Sequence, residues 1–510
     1  MRTLPLPTPS EGERMSSQTT GAAPSRTHET SGEGRRGLLG RLFAPVDIAS
    51  LVFFRVAFGA IMLWEVCRYF YYGWVERYFV QSEFRFTYYG FDWLRLWSGE
   101  WMQLHFLALG LLAIFIALGF LYRLSTTLFF LGFTYVFLFD QSLYLNHFYL
   151  ICLISLLMIF IPAHRAFSVD ARLRPGTRSE TAPAWALWLL VAQIGIVYFY
   201  GGLAKLNGDW LRGEPMRMWL ANETDFPLIG RFFTEEWMVY FFSYGGLLLD
   251  LLVVPFLLWR RTRLFAFAAV VAFHLMNANL FQIGIFPWFA IAATLLFFPP
   301  SWPQVVGRLR VGEIFDPQAW SRIKERLRRA EAGLRRRTRG SDPAATNRLR
   351  PAQYAIVGLL GLYLAAQLLI PLRHHLYPGN VSWTEEGHRF SWHMKLRDKG
   401  AQATLFAVDP QTGDRQRIVP QEYGLSLEQA GDMAGKPDMI LQFSHHVAEE
   451  LREQGREDVE IRARVRASLN GREPQRFIDP RADLSEQPHA LAPAGWIRPL
   501  KRPLNAQGER

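Results

Sequence analysis

Long apolar segments separated by short polar stretches fill most of the chain between residues 47 and 372. Many of these segments approach the length of a helix that crosses a lipid bilayer, about 20 residues. The pattern predicts nine membrane helices, and an odd number of crossings places residues 373–510 on the side opposite the N-terminus. The predicted spans are 47–70, 101–121, 124–140, 143–162, 184–203, 238–258, 264–280, 283–298 and 352–372.

The residues after the last span follow a different pattern. Apolar and polar residues alternate in Ala403–Val408 and Val459–Val465, as in half-buried strands, whereas Met439–Arg452 has helical spacing. The predicted fold class is therefore an α-helical integral membrane protein with a small extracytosolic mixed α/β domain. Its parts are a disordered tail (1–45), a core of eight helices (46–300), a basic loop (301–350), a ninth helix (351–372) and the extracytosolic domain (373–510).

Positive charges indicate how the helices are oriented. Lys and Arg number 56 against 45 Asp and Glu, and they cluster in the tail, around 165–178 and 260–263, and in 301–350. Basic loops stay in the cytoplasm, so we predict a cytoplasmic N-terminus and a periplasmic C-terminal domain. Only six of these residues are Lys, and such an excess of Arg is typical of GC-rich bacteria, which predicts a bacterial inner membrane. Because no nucleic-acid-binding motif accompanies the charge, we predict no nucleic-acid partner.

The two cysteines, Cys67 and Cys152, lie in apolar runs. This placement predicts buried side chains and excludes a disulfide scaffold. The sequence has no Cys pair and no His-x-x-x-His spacing, so we predict no metal site. Arg55, Glu65 and Asp250 lie inside apolar spans, where an ionised side chain is costly, and we interpret them as members of internal ion pairs.

Lys205 ends the apolar run VAQIGIVYFYGGLAK and is the only Lys before residue 324. It is either a Lys whose ammonium reaches out to the membrane surface or a proton-transfer group, because a desolvated Lys can lose its proton whereas Arg cannot. The predicted topology places it at the depth of Asn146 and His147, which begin the fourth span, and of His274 and Asn277 in the seventh. Each His, taken singly, is equally compatible with a satisfied core residue.

Collinear blocks along the chain carry a resemblance to a known family. They include LVFFRVAFG, YLNHFYLICLI, YFYGGLAKLNGDWLRGEPM, FHLMNANLFQIGIFPW, QLLIPLRHHLYPGNVSWTEEGHRFSWHMK and NGREPQRFIDPRADL. Over roughly residues 50–500 the chain resembles the vitamin K-dependent γ-glutamyl carboxylases and their bacterial HTTM relatives. The resemblance implies a peptidyl-glutamate 4-carboxylase that oxidises a reduced naphthoquinone with O2 to its epoxide. The base so formed removes a γ-proton from a peptide glutamate, and CO2 adds to the carbanion.

The resemblance also implies partners and residue roles. The lipid quinone, reduced phylloquinone or menaquinone, enters from the bilayer, and the other partner is a glutamate-containing peptide or protein. Lys205 falls on the family's catalytic base, and Asn146 and His147 fall on the pair at the quinone head. The residues assigned to quinone and substrate binding are Trp392, Met394, His393, His388, His274 and Asn277.

Two departures from the family pattern keep alternatives open. His393 stands where the family has Asp, and His388 where it has Tyr, both in the substrate segment. A quinol epoxidase that has lost carboxylation is therefore a second hypothesis. A non-enzymatic membrane transporter or sensor is a third, with the outer domain as its receptor.

Overall fold

The computed structural model describes residues 38–307 apart from 96, 98 and 282, residues 349–504, and the single residues 325, 329, 332 and 333. Most of the predicted tail and of the predicted basic loop therefore lies outside the described residues. The end of the tail is folded rather than disordered. Leu38–Leu42 is helical, and strand β1 (Pro45–Asp47) pairs antiparallel with strand β2 (Thr181–Pro183).

Nine apolar helices in the described part of the chain stand where the sequence predicts membrane spans. Seven of them are long and apolar enough to cross a bilayer, whereas the fourth and eighth are shorter. The structure thus confirms a mostly helical membrane protein, and the count of nine crossings stays a prediction. The helices are α1 (Ala49–Tyr71), α2 (Gly99–Leu118), α3 (Tyr122–Phe139), α4 (Asn146–Phe160), α5 (Ala184–Ala204), α6 (Glu236–Leu258), α7 (Arg263–Phe281), α8 (Phe286–Thr294, extended by a 3-10 turn Leu295–Phe297) and α9 (Pro351–Leu369).

The first eight helices pack in sequence, each against the next, and α8 packs back against α1. Helix α5 lies at the centre, because 72% of the residues in its most apolar 18-residue stretch are buried inside the protein. Helix α9 contacts α5 from the periphery, and only 11% of the residues in its most apolar 18-residue stretch are buried. The central helix therefore carries its C-terminal residues, including Lys205, into the interior of the bundle.

The close approach of α1 and α2 depends on Gly59. A Cβ atom at this position would lie 2.5 Å from the carbonyl oxygen of Ala113 and 2.7 Å from the backbone nitrogen of Ala117. Because backbone atoms cannot swing aside, we expect Gly59→Ala to lower the free energy of unfolding by about 1–3 kcal/mol. Thermal unfolding of the purified protein in detergent measures this. Gly361→Ala is the matched control, since a Cβ there meets nothing within 4 Å. Equal melting temperatures for the two variants would refute the prediction.

The internal ion pair predicted for Glu65 is confirmed, whereas none is found for Arg55 among the described residues. Arg55 forms no ion pair with Glu65. Its guanidinium instead donates hydrogen bonds to backbone carbonyls in the loop 163–167, which satisfies several donors of a fully buried cation. Glu65 pairs with Arg68, one turn further along the helix, at 2.5 Å.

The two cysteines also differ from one another. Cys152 is buried, as predicted, but Cys67 is exposed on the surface of α1. An apolar run in a membrane helix does not predict burial inside the protein, because lipid tails are as apolar as a protein core.

The C-terminal domain (residues 373–504), called the outer domain after its predicted extracytosolic location, is built on a four-stranded antiparallel sheet. Its order is β4-β3-β5-β6, and Leu405 of β3 pairs with Ala463 of β5. Alternation sets the faces: Ile461, Ala463 and Val465 are buried, whereas the Arg residues between them point outward. The elements are β3 (Lys399–Val408), β4 (Arg415–Ile418), α10 (Leu427–Ala434), α11 (Pro437–Glu453), β5 (Glu460–Leu469) and β6 (Gln475–Arg476). The predicted strands and the predicted helix over Met439–Arg452 are therefore confirmed.

Candidate active site

A buried ion pair lies at the C-terminal end of α5. The Nζ atom of Lys205 donates to Oδ2 of Asp250 on α6 at 2.6 Å and to the carbonyl oxygen of Gly201 at 3.1 Å. The side chains are 8% and 7% exposed, so Lys205 does not reach out to the membrane surface. The internal ion pair predicted for Asp250 is thus confirmed, with Lys205 as its partner.

Gly201 makes this pair possible. A Cβ atom there would lie 3.3 Å from Oδ2 of Asp250 and 3.0 Å from Cε of Met394, which approaches from the outer domain. The absence of a side chain therefore lets a carboxylate of the bundle and a thioether of the outer domain approach the same turn of α5.

The pair lines a cavity of about 460 Å³, a size typical of small-molecule sites. Most of its wall is apolar and comes from α5, α6, α7 and α8. Lys205, His274, Asn277 and Met394, four of the predicted site residues, line it together. The wall also contains Leu150, Ile194, Val197, Tyr198, Trp210, Trp219, Phe241, Gly245, Asp250, Ala269, Ala272, Phe281, Phe286 and Lys395.

A second polar point faces the cavity from α5 and α7. The hydroxyl of Tyr198 and Nε2 of His274 form a hydrogen bond of 2.8 Å, and His274 is 1% exposed. The His274 Nδ1 atom has no hydrogen-bond partner among the residues that the structure describes. The apolar wall therefore contains two hydrogen-bonded polar pairs at separate places, the Lys205–Asp250 pair and the Tyr198–His274 pair.

The other five predicted site residues lie outside the cavity wall: Asn146, His147, His388, Trp392 and His393. Asn146 binds the outer domain, since its Nδ2 donates to the carbonyl oxygen of His393 at 3.1 Å. The ring of His147 stacks on Phe286, with 6.0 Å between centroids, and Phe286 itself lines the cavity. Asn146 thus positions the segment that carries Met394. His147 packs against Phe286, a residue of the cavity wall, and does not itself line the cavity.

The segment Glu385–Lys395 connects the outer domain with this cavity. Of the eight non-glycine residues with positive φ in the described part of the chain, four belong to it: Glu385, Phe390, Trp392 and Lys395. Such a conformation is strained for residues with a Cβ and persists where surrounding contacts enforce it. Trp392 is 1% exposed and stacks on Tyr149 at 4.9 Å between ring centroids. Strain of this kind is typical of functional sites.

The histidines of this segment are also buried away from the cavity wall. The ring of His393 lies 5.3 Å from that of His388 and 4.8 Å from that of His374. Burial, together with the charges of His374 and Arg397, lowers the pKa of His393 to about 3. Burial and the neighbouring Arg397 also lower the pKa of His388 far below its usual value. Both imidazoles are therefore neutral at physiological pH.

The loop after Lys205 is fastened to the outer domain. Arg472 binds both carboxylate oxygens of Asp209 at 2.6 Å, and Asn470 donates to the same carboxylate at 2.8 Å. Burial alone would raise the pKa of Asp209, but the hydrogen bonds from Arg472 and Asn470 hold it below its usual value. The next residue, Trp210, places its ring 5.4 Å from Nζ of Lys205. This contact therefore fixes part of the cavity wall.

Sequence reasoning missed two features of the site. Asp250 stood out as an acid within a span, but nothing in the linear sequence named Lys205 as its partner. Tyr198 gave no signal, because a Tyr within an aromatic-rich helix is ordinary. Lys205 and Asp250 each stand in an otherwise uncharged apolar stretch. This isolation is the one feature of the sequence that could have suggested that they pair with each other.

Comparison with known proteins decides the family. An HTTM domain model matches residues 43–302, which is more than half of the chain, and a model of the vitamin K-dependent gamma-carboxylase lumenal domain matches residues 352–503. The chain belongs to the vitamin K-dependent gamma-carboxylase family. No solved structure gives a significant match. In this gamma-carboxylase family member the two matched regions meet at the cavity, with Lys205 from the first and Met394 from the second.

Proposed function

We propose that the protein γ-carboxylates glutamate residues of a peptide or protein, with reduced vitamin K oxidised by O2 to its epoxide in the same cycle. The observation that carries the proposal is the Lys205–Asp250 pair in the wall of a mostly apolar cavity. Such a wall suits a naphthoquinone ring, and a buried amine paired with a carboxylate suits proton transfer. Reduced vitamin K, when bound, would supply with O2 the strong base that the weakly acidic γ-proton requires.

The shape of the cavity supports a lipid quinone. Phe241 and Gly245 of α6 and Ala269 and Ala272 of α7 line the cavity and are also exposed on the bundle surface. The cavity therefore opens between these two helices toward the lipid. A quinone ring could occupy the interior while its apolar tail leaves through this opening, which suits either phylloquinone or menaquinone.

Lys205 would act as the base that receives a proton from the hydroquinone hydroxyl. For this its amine must be neutral, and Asp250 lies within hydrogen-bond distance to take the ammonium proton. Transfer of that proton to Asp250 would leave a neutral amine, which is the form that accepts a proton from the hydroquinone. The Tyr198–His274 pair would provide a hydrogen bond to a quinone oxygen at the second polar point.

Trp210, Trp219 and Met394 would exclude water from the reacting centre. All three line the cavity, and Met394 approaches Gly201 directly beside the Lys205–Asp250 pair. Exclusion of water protects a carbanion at the γ-carbon of glutamate from reprotonation.

The test is incorporation of radiolabelled bicarbonate into a short glutamate-rich peptide. Purified protein in detergent receives reduced vitamin K and O2, and the control is the same peptide with Gln in place of Glu. We expect label in the Glu peptide alone. No label in either peptide, from protein that produces the epoxide, would reject carboxylation and support the second candidate, a quinol epoxidase.

The second candidate rests on His388 and His393, which replace the family's Tyr and Asp. Neither side chain lines the cavity. These replacements therefore leave the wall beside Lys205 intact, and we favour the complete carboxylase reaction.

A further inference from the structure

Two of the six lysines of this Arg-rich chain line the same cavity. Lys205 is the proposed base, and Lys395 is contributed by the strained segment of the outer domain, with φ of 47°. The Nζ atom of Lys395 lies 5.1 Å from the ring centroid of Phe281 and 5.7 Å from that of Trp219. Both rings belong to the cavity wall, so the ammonium is held at the cavity by aromatic faces.

Lys395 differs from the neighbouring lysines in its partners. Lys205, Lys399 and Lys436 each pair with a carboxylate. Within the described ranges, no carboxylate forms an ion pair with Lys395. The nearby Asp398 accepts a hydrogen bond from the indole nitrogen of Trp219 at 3.1 Å. Lys395 is thus a cation of the cavity wall that contacts aromatic rings and forms no ion pair with a described carboxylate, although the negative charge of Asp398 acts on it from nearby.

We propose that the Lys395 ammonium binds the side-chain carboxylate of the substrate glutamate at the cavity. This inference rests on the proposed function and assigns the substrate-binding cation. Lys205 is unsuited to that task because Asp250 already neutralises it. A carboxylate at Lys395 would replace cation–π contacts with a charge-assisted hydrogen bond, which is the stronger interaction.

The reaction itself calls for a cation at this place. When the γ C–H bond breaks, its proton goes to the base formed from the quinol and O2, and the electron pair stays on the γ-carbon until it bonds to CO2. Before that bond forms, the carbon and the adjacent carboxylate together carry two negative charges. A fixed ammonium beside the carboxylate stabilises this arrangement more than the singly charged substrate.

Direct binding without quinone tests the assignment. A short Glu peptide and its Gln counterpart are titrated against the full-length protein in detergent, with calorimetry as the readout. We expect the parent protein to prefer Glu by about tenfold or more, as a hydrogen bond to a charged group implies. Lys395→Gln should equalise the two affinities, whereas Lys395→Arg should keep the preference. Lys501→Gln, at an exposed site, is the control for loss of one lysine charge.

Two outcomes would overturn the inference. One is a Glu preference that survives in Lys395→Gln protein with the parent's melting temperature. The other is equal binding of the Glu and Gln peptides to the parent protein, together with displacement of both peptides by bicarbonate that is lost in Lys395→Gln. That result would make Lys395 a bicarbonate site. Failure of the proposed function would look different from failure of this inference. If the preference for Glu depends on Lys395 but no carboxylated product forms, the proposed reaction is rejected and the binding site stands.

Discussion

Lys205→Ala should lower kcat for both epoxide formation and carboxylation by about 10²–10⁴-fold, the contribution typical of a positioned general base. Both products should fall together, because proton removal from the hydroquinone precedes both. The substitution also leaves Asp250 buried without its cation, so the melting temperature must be measured alongside. Steady-state assay of both products with saturating quinol gives the comparison.

Lys205→Arg separates the base from the charge. Arg keeps a cation beside Asp250 but does not give up its proton. We expect this variant to unfold at a temperature close to that of the parent and to be as inactive as Lys205→Ala. Substantial activity in the Arg variant would mean that residue 205 acts as a fixed positive charge, and the proposed base would have to be sought elsewhere in the wall.

Arg472→Met should lower the free energy of unfolding by about 3–5 kcal/mol, because it leaves the buried carboxylate of Asp209 without its cation. The outer domain should then loosen from the bundle near Trp210. Thermal unfolding measures the loss, and limited proteolysis of the loop that begins at Asn207 reports where it occurs. The same contact should also weaken in acid, because the lowered pKa of Asp209 means that stability is lost as the pH falls through that value.

A surface pair provides the matched control for Arg472. Arg498 and Asp479 lie 3.0 Å apart on the outer domain, with side chains 45% and 34% exposed. Exposed pairs contribute roughly 0–1 kcal/mol, so Arg498→Met should change the stability little. Equal losses for the two Arg variants would show that the Asp209–Arg472 contact is not a special attachment between the two regions.

Hydrophobic patterning alone located the nine helices and the main strands. Helix α11 and strand β5 appear where the sequence spacing placed them, because a buried face repeats every 3.6 residues in a helix and every two in a strand. The same patterning does not distinguish a residue that faces lipid from one that is buried inside the protein. Cys67 was predicted to be buried because an apolar run looks alike whether it faces lipid or protein.

Four of the nine predicted site residues line one cavity, whereas the contacts among them were not predictable. Lys205, His274 and Met394 were expected near one another and do line one cavity. The pairing of Lys205 with Asp250 depends on the rotation of α5 against α6, which the linear sequence does not specify. The same holds for His147, whose ring faces Phe286 rather than the cavity. Depth in the membrane can be counted along the chain, whereas side-chain direction depends on how the helices pack.

The most direct test of Lys205 as the base for both reactions measures two products in one assay. Purified protein in detergent receives reduced vitamin K, O2, labelled bicarbonate and a Glu peptide, and both the epoxide and the labelled peptide are quantified over time. Lys205→Arg protein is assayed in parallel. Both products should accumulate with the parent protein, and neither should accumulate with the variant. Carboxylated peptide formed by the Lys205→Arg variant at the parent's rate would contradict the assignment of Lys205 as the base.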